Sequence, residues 1–235
     1  MTTALAPRPS GPRPAAPRGS ARRAAATRLV ALGRQTAVAV RALLVLTLLC
    51  GVAYPLVLTG VAQLALPWQA NGSLVRADGS RARSVTDTAG SAVVGSELLG
   101  QDWTTGAAAA TWFHGRPSAN NYDGLASGAT NLGPNDAGLV ATIAERRAAL
   151  AAEHGLDPAQ VPADALTSSA SGLDPHVSPA WADAQVATVA EARGVEPARL
   201  HALVARLTEG RDLGVLGEPR VDVLRLNIEL AHGDW

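Results

Sequence analysis

Five histidines, one cysteine and a scatter of hydroxyl side chains are the groups in this 235-residue chain from which chemistry could be built. The densest grouping is FHGRPS, where His114, Arg116 and Ser118 stand close in sequence and Asp102 or Asp123 is within reach along the chain. A hydroxyl, an imidazole and a carboxylate are the parts of a nucleophile, base and orienter, so a hydrolase site can be drafted from them. The usual framework is missing, because no serine sits in a G-x-S-x-G elbow and spacing alone does not bring three groups together. A structural turn around His114 and Arg116 is the favoured reading, and no residue is assigned a catalytic role.

Metal chemistry has no signature either. His114, His154, His176, His201 and His232 form no H-x-x-x-H or H-x-E pair, and a lone Cys50 can build neither a disulfide nor a cysteine metal site. The stretch from Thr167 to Pro179, TSSASGLDPHVSP, is rich in hydroxyls, and Ser169, Ser171 and Gly172 could cradle a phosphate in a backbone nest. It lacks the G-x-x-x-x-G-K-[ST] pattern, and the chain contains no lysine. A capped turn between helices is the stronger reading of this stretch.

The elements that must position these residues are legible in parts. Asp136 is a helix cap for a segment reaching about Glu153, with Leu139, Ile143, Arg147 and Leu150 on one face and Gly155 as its stop. Ser178-Pro179 opens a second helix through about Arg193, ended by Gly194, and Glu196-Pro197 opens a third with Leu200, Leu203, Val204 and Leu207 at helical spacing and Gly210 after it. A short strand at Val221 to Val223 followed by a helix is the preferred reading of VDVLRLNIEL. Asn71-Gly72 and Asp78-Gly79 predict turns and short strands early on, and residues 100 to 136, rich in Gly, Asn, Ser and Thr, predict a long irregular segment. The fold class expected is α+β.

Ahead of this domain lies a different kind of sequence. Residues 1 to about 28 mix Pro, Ala and Arg with almost no large apolar side chains, and a disordered basic tail through residue 41 is expected. From Ala42 to Leu66 the chain runs without a charge, at about 1.5 Å per residue long enough for a hydrocarbon core of about 30 Å. Pro55 is tolerable in a membrane helix, and Trp68 suits an interfacial anchor. Gly51 and Gly60, with Ala53 and Ala62, are small enough to let a partner helix approach.

Charge sets the expected orientation. Eight of the 20 arginines precede the apolar run and none of the 20 acidic residues does, so residues 1–41 are expected in the cytoplasm and the domain over 67–235 outside it. The body after the run is strongly acidic, which argues against a nucleic-acid partner.

Several segments in order, YPLVLTG…PWQANGSLV, GSELLGQDW…FHGRPSA, ASGATNLGP…ASGLDPHVSP and LTEGRDLGVLGEPRVDVLRLNIEL, resemble the C subunit of the Kdp potassium-transporting ATPase, over nearly all of residues 40–230. The resemblance implies an accessory subunit with no catalysis or cofactor of its own. Its implied partners are a potassium-channel-like subunit and a P-type ATPase subunit in the same membrane. It also implies a catalytic-chaperone role that raises ATP affinity, with ATP as a ligand. The expected orientation puts Thr167–Pro179 on the side where ATP is scarce, so such an effect would travel as a coupling between states of the partners. The competing reading is a membrane-anchored extracytoplasmic enzyme or ligand-binding module, which would need convergent polar groups in a closed pocket.

Overall fold

Alanine and arginine are strong helix formers, and a segment rich in both that runs straight into an apolar helix needs no nucleus of its own. The computed structural model describes residues 18–233 and Trp235, and its first element, α1, covers Arg18–Leu48. The tail expected to be disordered through residue 41 is therefore helical over 18–41, and its earlier part lies outside the described residues. Helix continues with a π-turn at Leu49–Ala53 and α2 at Tyr54–Ala65. Pro55 has no amide to offer and its ring crowds the carbonyl four residues earlier. The wide turn immediately before it, in which the Tyr54 amide reaches the Leu49 carbonyl, absorbs that irregularity. The stretch Thr27–Ala65 is the one helix among the described residues long and apolar enough to cross a membrane, and none of its most apolar window is buried.

The second compact unit begins at Ala62. A short α3 (Pro67–Ala70) leads to β1 (Leu74–Arg76), which pairs antiparallel with β2 (Val93–Ser96). Trp68, expected as an interfacial anchor, donates its indole N–H to the Leu74 carbonyl at 2.8 Å and lies under the Arg81 guanidinium. The segment that follows is irregular as expected, with one turn of 3₁₀ helix at Ala109–Thr111.

Helix α4 (Ala137–His154) starts on the Asp136 cap, whose side chain accepts from the Leu139 amide, and stops at left-handed Gly155. After α5 (Ala163–Leu166) and β3 (His176–Val177), α6 (Pro179–Arg193) opens on the Ser178 cap and closes at Gly194. Helix α7 (Pro197–Leu207) ends earlier than Gly210 because Thr208–Glu209 turn extended as β4 and join a ladder. β5 (Arg220–Asp222) is its central strand, in the order β3-β5-β4, and α8 (Val223–His232) follows at once. Val223, expected as the last strand residue, is the first of α8 because Asp222 caps it, accepting from the Arg225 amide.

The core lies between α6, α7, α8 and this ladder. Trp181, Val186 and Val189 from α6 meet Leu200, Leu203 and Val204 from α7 and Leu226 and Leu230 from α8, with Phe113 from the irregular segment buried among them. The fold is α+β.

Candidate functional site

An irregular segment carrying a buried phenylalanine must still satisfy its backbone amides and carbonyls. Here two amide side chains do it. Gln185 shares the buried face of α6 with Trp181 and Val189 and is 1% exposed. Its Oε1 accepts from the His114 N–H at 2.7 Å and its Nε2 donates to the His114 carbonyl at 3.2 Å. Asn227 on α8, also 1% exposed, treats Phe113 alike: the Phe113 N–H donates to Oδ1 and Nδ2 donates to the carbonyl, both at 2.9 Å. Successive residues of an extended backbone face opposite sides, so one clamp comes from each of two helices. Each side chain plays the part of a neighbouring strand.

These and nearby bonds take the drafted triad apart. The His114 Nε2 pairs with the Ala109 carbonyl at 3.0 Å. Ser118 Oγ sits 2.6 Å from Asn120 Oδ1 and 2.7 Å from the Gly172 carbonyl, and accepts from the Tyr122 N–H at 2.9 Å. Asp102 accepts from the Thr104 hydroxyl and amide, at 2.6 and 2.8 Å, which holds its carboxyl below the usual range. Asp123 accepts from the Leu125 amide at 2.9 Å. The hydroxyl and the imidazole thus bond to different partners.

Beside them is a cleft of about 320 Å³, lined among others by Asp102, His114, Arg116, Tyr122, Arg146 and Trp181. Its charged groups are anchored to the walls. Arg116 Nη1 pairs with Asp174 Oδ2 at 3.0 Å, and Arg146 Nη1 donates to the Leu166 carbonyl at 3.1 Å. Burial pushes the Asp174 carboxyl up, but hydrogen bonds from His176 and Arg116 prevail and hold it below the ordinary value. The Tyr122 hydroxyl donates to the Arg116 carbonyl, and burial, helped by the Asp102 and Asp174 charges, pushes it up to about 12. At neutral pH it is a fixed donor.

The phosphate-cradle candidates close the far side of the same loop system. The Ser169 N–H donates to the Pro117 carbonyl at 3.3 Å, and Ser171 accepts from the Leu173 amide through Oγ at 3.0 Å and from the Gly128 amide through its carbonyl at 2.8 Å. Gly172 has φ +69°, and a Cβ there would lie 2.2 Å from Asn120 Oδ1. Only glycine permits that approach. The three residues therefore zip residues 167–172 onto 117–128. Gly51 and Gly60 lie on the apolar helix, and nothing stands within 4 Å of a Cβ built at Gly60. Among the described residues no three His, Cys, Asp or Glu side chains are grouped to hold a metal.

Sequence reasoning passed over Gln185 and Asn227. The available signal was an amide on a helix face otherwise apolar, since a buried polar side chain must find partners.

The family model described as "K+-transporting ATPase, c chain" matches residues 36–232. The potassium-transporting ATPase KdpC subunit of Gemmatimonas aurantiaca is 50% identical over 188 residues, 79% of this chain and 86% of that protein. That of Sorangium cellulosum is 50% identical over 191 residues, 80% and 92% of the two chains, and that of Streptomyces coelicolor 41% over 220 residues, 85% and 92%. The matched span takes in the uncharged run Ala42–Leu66, both ladders, the clamps and α8, and so the chain belongs to the C chains of the K+-transporting ATPases.

Proposed function

We propose that the chain is the accessory, non-catalytic subunit of an ATP-driven potassium uptake complex in the cell membrane. The observation that carries the reading is the family match across 36–232, which includes most of the apolar helix as well as the domain. The single membrane helix anchors the chain with residues 1–41 in the cytoplasm and 67–235 outside, an orientation that follows from the eight arginines before the run. Gly51 and Gly60 let a helix of a partner, the channel-like or the ATPase subunit, approach closely. Ser169, Ser171 and Gly172 hold a loop in this reading, and an influence on ATP affinity passes through the partners as a coupling between their states.

Two experiments test it. A reporter active only outside the cytoplasm, fused after Trp235, is expected to be active, and one active only inside to be silent; the reverse pattern overturns the orientation. Gly60→Leu fits the space around the helix and keeps the segment apolar, so insertion is expected to be normal. Its association with the channel-like and ATPase subunits is expected to weaken by about 1–2 kcal/mol, roughly 5- to 30-fold in co-purification at limiting concentration. Wild-type recovery of Gly60→Leu would remove this face of the helix from the interface.

A further inference from the structure

Of the 12 arginines after Leu66, six pair with carboxylates, from Arg76 with Asp87 to Arg225 with Glu97, and three more donate to backbone carbonyls. Among the described residues Arg81, Arg83 and Arg147 give no guanidinium N–H to an oxygen, and two of these three share one exposed loop between β1 and β2. The acids around that loop are already engaged. Asp78 accepts from the Ser80 amide at 2.9 Å, Asp87 pairs with Arg76 at 2.6 Å, and Glu229, beside Gly79, pairs with Arg206 at 3.2 Å. From Pro67 to Thr86 three arginines stand against the single acid Asp78, whereas over the whole domain 20 acids outnumber the 12 arginines. The loop is a basic spot on an acidic domain, and an anion approaching elsewhere is repelled.

Its place along the chain says which anion it meets. At about 1.5 Å per residue the uncharged run outlasts a hydrocarbon core of about 30 Å, so its end, with Leu64 88% and Leu66 54% exposed, reaches the headgroup layer. Trp68 follows two residues later, a side chain suited to that layer. One oxygen fixes both the ring and the loop: the Leu74 carbonyl accepts from the Trp68 indole N–H at 2.8 Å and from the Ala82 amide at 2.9 Å. Arg81 bridges to Val75 through its backbone, and its guanidinium lies 4.2 Å from the centre of the Trp68 ring. Stacked there it is already placed, and its N–H edge remains to meet two oxygens of a phosphate. A free phosphate and a phospholipid headgroup share that chemistry. The headgroup is favoured because the apolar run tethers the loop beside it, which makes the contact effectively intramolecular. Val85, 75% exposed just beyond Arg83, adds an apolar side chain that lipid can cover and a free phosphate cannot.

We infer that Arg81, held on the Trp68 ring and helped by Arg83, binds the phosphate of an anionic phospholipid in the leaflet where the apolar helix leaves the membrane. The inference rests on the membrane anchoring proposed above and holds for either orientation of the domain. The full chain in neutral maltoside detergent, carrying an environment-sensitive fluorophore on Val85→Cys in a Cys50→Ser background, is titrated with dioctanoylphosphatidylglycerol. Its emission is expected to shift to the blue and saturate, and dioctanoylphosphatidylcholine or inorganic phosphate is expected to leave it unchanged. Arg81→Gln and Arg83→Gln, in exposed positions, are expected to melt as the wild type does and to raise the midpoint roughly 5-fold each and about 30-fold together. In native membranes a photo-crosslinking benzoylphenylalanine at Val85 is expected to yield a phospholipid adduct. An equal response to inorganic phosphate would make this a free-anion site and overturn the lipid. An equal response to both lipids, an unmoved midpoint in the double variant, or adducts to protein alone would overturn it too. Carbonate extraction of the membranes checks the anchoring separately: a wild-type chain that washes off defeats the anchoring first and this site with it, whereas one that stays in the membrane leaves the titration to decide the site alone.

Discussion

Asn227→Leu is expected to lower the unfolding free energy of the full chain in detergent by about 3 kcal/mol. The replacement is apolar and of similar size, so little packing is lost, but the Phe113 N–H and carbonyl, both bonded to Asn227 at 2.9 Å, are left unpaired in a buried place. Each orphaned group costs about 1–3 kcal/mol, and the sum is a large part of the 5–15 kcal/mol typical of a whole domain. Urea titration followed by tryptophan fluorescence reads it, since Trp112 adjoins the clamp and Trp181 lies in the core it joins. Gln185→Leu is expected to act the same way through His114. The double variant should cost less than the two singles together, because the first opening already releases the segment the second clamp holds. A loss below about 1 kcal/mol for Asn227→Leu would show that water or a rearranged backbone satisfies Phe113, and the clamp would lose its role.

The other large effect depends on pH. Asp222 is 5% exposed, and burial pushes its carboxyl up to about 6; the Glu97 charge adds to this, while the Arg225 amide bond and the His176 and Arg225 charges oppose it. A carboxyl whose folded pKa lies above its unfolded value of about 3.9 contributes stability that is complete below pH 4 and lost as pH rises through 6. Asparagine keeps the Oδ1 that caps α8 and carries no charge to bury. The stability of Asp222→Asn minus that of the wild type is thus expected to grow between pH 4 and pH 7 and to level off on the order of 2–3 kcal/mol higher. Taking the difference removes the other titrations, such as that of Asp174, which the two proteins share. A difference that stays flat with pH would mean that water reaches Asp222.

Much of the domain was written locally. Asp136 and Ser178-Pro179 started their helices, Gly155 and Gly194 stopped them, and the strand before α8 was found to within one residue, because caps and stops act within a turn of chain. What depended on distant partners was less legible. α7 gives up its last residues to a ladder with β5, which lies eleven residues further on, and composition alone made a disordered tail of residues 18–41, where continuity with an apolar helix makes more helix. In the site, the hydroxyls of Ser118 and Ser171 and the glycine at 172 suggested chemistry, yet their types and spacing serve equally to sew one loop to another. The clamps were beyond reach because Asn227 stands 114 residues from the backbone it bonds.

The wide turn at Leu49–Ala53 also sets how the apolar helix reads to its neighbours. Each residue of an α-helix advances about 100° around the axis, and a π-turn admits one extra residue per turn. A stripe of side chains that runs down one face as far as Leu48 therefore resumes about 100° away from Tyr54 onward. The helix behaves as two screws of the same pitch cut out of phase, so that a neighbour fitted to the thread of one half is misaligned with the other. Faces counted from Gly60 do not carry back to the half that ends at Leu48, and a single residue removed within the turn would bring the two halves back into phase in the count of residues while leaving each facing as it does.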